Sequence, residues 1–114
     1  MRIQVKGRNG ATVDDELLSR LEKKLAKVGR QVSPLAVVDV QLSEERNAGT
    51  GDSQVAEASL QLKGTTLRAR ESSSDMGRSI NLMVDDLARQ VKKHRDKRRG
   101  RREAQKAGEQ PHPA

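Results

Sequence analysis

The chain contains no Phe, Trp or Tyr and no Cys. Each absence removes a class of chemistry. Without cysteine there is no disulfide framework, no thiolate metal site and no thiol nucleophile. Without aromatic rings a core must be assembled from Leu, Val, Ile, Met and Ala. The rings on which most single-strand binders stack bases are missing as well. Long apolar runs are also lacking: nothing approaches the roughly 20 residues of a membrane span, and the opening residues show no signal-peptide pattern. A cytoplasmic protein is the expectation. The 114 residues leave room for one domain and a tail, since domains commonly run about 100–150 residues.

Positive charge is what the chain has in excess, and it is unevenly placed. Residues 91–114 hold nine Lys/Arg against three Asp/Glu, which out of totals of 23 and 16 leaves 14 against 13 for residues 1–90. A basic end on a near-neutral body is a signature of nucleic-acid contact, although a solubilising tail would give the same composition.

The apolar periodicity divides the chain into six elements. "MRIQVKG" alternates, with Ile3 and Val5 on one side and Arg2, Gln4 and Lys6 on the other, which predicts a half-buried strand before the turn "GRNG". "TVDDELLSRLEKKLAKVG" predicts an amphipathic helix, with Thr12 as N-cap, acids near its positive end and Gly29 as its stop. Leu17, Leu18, Leu21, Leu25 and Val28 form its apolar stripe. Beyond Pro34, Val38, Val40 and Leu42 alternate in a second strand, and "RNAGTGDS" reads as a mobile loop. Ala56, Ala58, Leu60 and Leu62 mark a third strand. A turn at Gly64 leads to a fourth, with Leu67 and Ala69 inward and Arg68 and Arg70 outward.

"SSSD" signals a second helix start, with Ser73 or Ser74 as cap. Met76, Ile80, Met83, Val84, Leu87 and Val91 carry its stripe, which ends where the basic run "VKKHRDKRRGRR" begins. Residues 1–97 are therefore expected to form one α+β domain and 98–114 a basic, then polar, disordered tail. Two amphipathic helices need the apolar face of one sheet. The predicted fold is two-layered, β-α-β-β-β-α, with a four-stranded sheet and both helices on one face.

Catalytic patterns are weak. His94 and His112 have no carboxylate-and-nucleophile setting, and no metal-ligand spacing appears. Asp85 and Asp86 are adjacent on a helix and diverge by about 100°. "GRNG" lacks the spacing and the Lys-Ser/Thr of a phosphate loop. A non-enzyme without cofactor is the expectation.

The basic surface is more informative. Arg20, Lys23, Lys24, Lys27 and Arg30 share about 120° of one helix. Arg78, Arg89, Lys92 and Lys93 lie away from the stripe of the other. Pairing at i, i+4 with Glu16, Glu22, Asp85 and Asp86 would neutralise part of this charge, but Asp96 is the only acid between Val91 and Glu103. Such a layer suits the phosphates of folded or double-helical nucleic acid, RNA more than sequence-read DNA.

Several strings in order resemble the ribosome hibernation-promoting factors, also called ribosome-associated inhibitor A or sigma-54 modulation proteins. These are "IQVKGRN", "LEKKLAKV", "GTTLRARE" and "SSDMGRSINLMVDDLARQVKKHRDK", spanning residues 1–97. The resemblance implies binding to small-subunit ribosomal RNA in the intersubunit channel, which blocks messenger and transfer RNA under stress or in stationary phase. It implies RNA contacts at Lys23, Lys24, Lys27, Arg78, Arg89, Lys92, Lys93 and Arg95. The sequence departs from the family at Gly77 and His94, where aromatics are frequent. Nothing resembles the second, dimerising domain of long members, so action on single ribosomes or short-factor pairing is expected. A general double-stranded nucleic-acid binder and a module that modulates a transcription factor remain alternatives.

Overall fold

Two helical stripes and four alternating segments have to share one interior, and the computed structural model shows how. It describes residues 1–45, 51 and 53–109, with side chains described as far as Lys97. The elements are β1 (Arg2–Arg8), α1 (Asp15–Gly29), β2 (Val37–Glu44), β3 (Gln54–Leu62), β4 (Thr65–Ser73) and α2 (Met76–Glu109). The strands lie in the order β1-β2-β3-β4. β1 pairs parallel with β2, and the other two pairings are antiparallel. A parallel pair needs a crossover, which α1 supplies. The sheet is thus mixed, and both helices cover one of its faces, as the periodicity predicts.

The register explains the packing. Ile3, Val38, Leu60 and Leu67 form one cross-strand row, and Val5, Val40, Ala58 and Ala69 the next on the same face. α2 packs on β3 and β4, where Ala56, Ala58 and Ala69 are buried beside Leu60. Ile80, Met83 and Leu87 are fully buried against that face, and Leu21, Leu25 and Val28 of α1 join them in one cluster. Burying each such side chain contributes about 1.5–3 kcal/mol. Leu17 and Leu18, at the α1 stripe's edge, stay half-buried. Lys63 and Gly64 turn β3 into β4, and Gly64 adopts φ +81°, which an L side chain would strain.

Both helix starts differ from the reading of the sequence. The Asp14 carboxylate, not Thr12, accepts the Leu17 N–H at 2.8 Å and caps α1. Asp75, not Ser73 or Ser74, caps α2 by accepting the Arg78 N–H at 3.0 Å. Ser73 is instead the last residue of β4, and its hydroxyl lies 2.7 Å from Ser79 Oγ. Ser79 in turn donates to the Gln54 carbonyl at 2.7 Å. That buried pair fastens the first turn of α2 to the ends of β3 and β4. A serine drawn into this network cannot also reach the helix N–H groups, and the next carboxylate takes the cap.

α2 also runs further than expected. Among its described side chains the last buried one is Val91, 1% exposed, and the helix continues to Glu109. The chain was expected to become irregular from about Gly100. Around that glycine, however, "RR" and "RREAQKA" are good helix formers, and Gly100 and Gly108 each cost only about 1 kcal/mol relative to Ala. Residues 110–114 and most of the predicted mobile loop (46–50 and 52) lie outside the described residues.

The caps generate a stability test. Asp14→Ala and Asp75→Ala should each lower the unfolding free energy by about 1 kcal/mol. Thr12→Ala and Ser74→Ala should stay within about 0.5 kcal/mol, as exposed positions without such contacts do. Urea titrations followed by circular dichroism measure both.

Candidate nucleic-acid interface

The α1 cations are set by where its stripe points. With Leu21, Leu25 and Val28 buried, the 100° step per residue turns Arg20, Lys24 and Lys27 toward one flank and Lys23 and Arg30 outward. The flank faces α2. The Arg20 guanidinium lies directly over Gly77 in the first turn of α2, filling the space that a Cβ there would need. At the other end, Arg95 Nη1 donates to Gln31 Oε1 at 3.2 Å, tying α2 to the segment after α1. Arg20 meets Gly77 and Gln31 meets Arg95, so the helices lie side by side and run in the same direction.

The outward side of α2 carries Arg78, Arg89, Lys92 and Lys93 within about 100° of arc, all exposed. Asp85 lies in the same arc, so this face is cationic but not uniformly so. Of the i, i+3 and i, i+4 pairings the sequence allows, the described residues form only Arg89–Asp86, at 3.4 Å and open to solvent. Exposed pairs of this kind contribute little. Lys23, Lys24, Lys27, Arg78, Lys92, Lys93 and Arg95 form no ion pair among the described residues. Lys24 is half-buried beside the stripe, and the others of this set are exposed.

All eight sequence-predicted residues therefore sit on one layer, though not in one patch. Lys24 and Lys27 edge the furrow between the helices from the α1 side with Lys23 outward of them, and Lys92 lies on the part of the α2 arc nearest α1. Arg78 stands at the start of α2. Arg95 is turned toward the segment after α1 by its bond to Gln31. Arg20 is the residue left out of that set which the structure brings in. Its proximity to Gly77 joins positions 57 residues apart and has no local sequence signal.

The opposite sheet face is also polar. Arg2, Lys6 and Arg8 alternate along β1, and Arg68 and Arg70 along β4, all exposed. Part of this charge is engaged. Arg70 contacts Glu45 at 2.8 Å and Glu57 at 3.8 Å, and Arg8 donates to Gln41 at 3.2 Å. Asp39 shares a shallow basin with Lys6 and Arg68. The helical face is thus the less neutralised of the two. No three His, Cys, Asp or Glu side chains among the described residues converge as a metal site. No described helix is long and apolar enough to cross a membrane.

Over 103 residues the chain is 35% identical to a ribosome hibernation promotion factor of Picosynechococcus sp., covering 90% of this chain and 53% of that protein. Over 97 residues it is 32% identical to the factor of the same name from Staphylococcus aureus, covering 83% and 48% respectively. It spans about half the length of these two relatives. A ribosome hibernation promoting factor of Azotobacter vinelandii is 28% identical over 113 residues, covering 99% of this chain and 100% of that one. Among solved structures, the N-terminal domain of Thermus thermophilus Protein Y superposes with a TM-score of 0.69 at 32% identity, over 82% of this chain and 99% of that one. A ribosomal subunit interface protein from Coxiella burnetii shares the fold, with a TM-score of 0.67 at 24% identity, over 84% of this chain and 99% of that one. The family model described as Sigma 54 modulation protein / S30EA ribosomal protein matches residues 3–99, and the chain belongs to that family.

Proposed function

We propose that this protein is a ribosome-associated hibernation factor. It lays its two-helix face on small-subunit ribosomal RNA in the intersubunit channel and keeps messenger and transfer RNA out under stress or in stationary phase. The observation that carries this reading is the placement of unpaired cations on two parallel, adjacent helices in a chain of this family. The names of its relatives, ribosome hibernation factors, support the partner. Such a partner places the protein in the cytoplasm, on ribosomes.

The mechanism is competitive occupancy. Lys23, Lys24 and Lys27 of α1 and Arg78, Arg89, Lys92, Lys93 and Arg95 of α2 replace the counterions condensed on RNA phosphates, and the released ions drive association. The sheet keeps the helices parallel, so the backbone spacing of the cations is set before binding, and the ordering cost that remains is that of their long side chains. Beyond Val91, α2 carries Lys92, Lys93, Arg95 and Lys97, which continue the basic surface. Eighteen residues, 92–109, span about 27 Å at 1.5 Å per residue. That rod can lie along a path that messenger RNA would otherwise take. No reaction is required, and shape and phosphate spacing supply the selectivity.

Two outcomes check the electrostatics. Binding to purified small subunits should weaken about a thousandfold between 50 and 200 mM salt, as expected for about six phosphate contacts. The double substitution Lys92→Glu, Lys93→Glu should remove the protein from ribosomal fractions in sucrose gradients while leaving its thermal unfolding unchanged, because both side chains are exposed and form no ion pair among the described residues. Normal co-sedimentation of that folded variant would contradict the reading. Equal affinity for a plain RNA duplex would instead indicate a general double-strand binder, and binding that survives nuclease treatment would indicate a protein partner.

A further inference from the structure

We propose that the end of the domain where α2 leaves the sheet holds one unpaired nucleobase of the bound RNA. A groove of about 510 Å³ opens there between the segment after α1, the β3–β4 turn and α2. That volume falls in the roughly 300–1,000 Å³ range of small-ligand clefts. The inference rests on the RNA-binding reading and deepens it, because the helices account for phosphate contacts only.

The groove has what a base needs. Val32, Leu62 and Val91 give it an apolar floor. Its rim carries Lys63, His94 and Arg95, and no carboxylate lines it. In a chain without Phe, Trp or Tyr, His94 is the one imidazole among the described residues. Flat imidazole and guanidinium groups are surfaces on which unstacked bases rest. Arg95 reaches Gln31, another lining residue, with a 3.2 Å hydrogen bond. Ser33 at the lip offers a hydroxyl to a base edge. Leu35 stands 89% exposed at the mouth, an apolar side chain that a bound base would cover.

The occupant follows from charge and continuity. Arg95 lies one turn beyond Lys92 and within about 60° of it on α2, so a strand whose phosphates meet Lys92 reaches the rim of the groove. An acid-free cationic rim favours a phosphate-bearing ligand over a neutral peptide. The chain therefore combines a sequence-blind surface with one position where an unpaired base can be sensed.

The test uses the full chain and purified small ribosomal subunits, with chemical probing of the ribosomal RNA bases. The unaltered protein should protect one unpaired base that His94→Ala leaves reactive, while backbone protection elsewhere is unchanged. His94→Phe should restore that protection. Affinity of His94→Ala should fall roughly fivefold to tenfold, the low end expected for losing one base stack. A benzophenone side chain placed at Leu35 should crosslink to a ribosomal RNA nucleotide. An identical base footprint for folded His94→Ala, or crosslinking only to a ribosomal protein, overturns the proposal. If the unaltered chain fails to bind the subunits at all, the RNA-binding reading itself falls, and the two failures are told apart by that control.

Discussion

Everything in this molecule depends on removing two apolar helix stripes and one apolar sheet face from water in a single arrangement. The core has no aromatic ring to fill space, so α1 and α2 must approach the sheet closely. The small side chains of Ala58 and Ala69, opposite one another in β3 and β4, permit this for α2. Gly77 then lets Arg20 lie against the start of α2. Hydrophobic burial thus sets how near the two cationic helices come to one another.

That closeness has an electrostatic consequence. Unpaired lysines and arginines on neighbouring parallel helices repel one another, a modest cost in water that screening by salt reduces further. A polyanion laid across both helices converts the same arrangement into a favourable one, with ion release as the driving force. The paired arginine of the opposite sheet face shows the contrast. Arg70 is already engaged by Glu45 and Glu57, and bringing phosphate there would first have to displace carboxylates. Folding and binding are linked through one feature, the common face on which both helices lie.

Most of the architecture is legible in the sequence because periodicity reports burial directly. Val38, Val40 and Leu42 alternate, Ile80, Val84, Leu87 and Val91 recur at helical spacing, and the structure buries all of them. The caps were misplaced because Ser73 and Thr12 are as eligible by type as Asp75 and Asp14. The choice between them depends on Ser73 being claimed by Ser79 across the β4–α2 junction. The reach of α2 past Gly100 was missed because composition registers polarity, whereas helix propensity in that run is high. Which cations share a layer could be read from helical arcs. Gly77 beneath Arg20, and the groove shared by Val32, Leu62 and His94, could not, since each joins segments far apart in the chain.

The most direct measurement is a lysine-modification footprint, read by mass spectrometry, of the protein free and bound to small ribosomal subunits. Lys23, Lys24, Lys27, Lys92 and Lys93 should lose reactivity together on binding, while Lys6 on the open sheet face keeps its own. Protection of Lys6 with Lys24 and Lys92 still reactive would contradict the two-helix surface as the one that meets RNA.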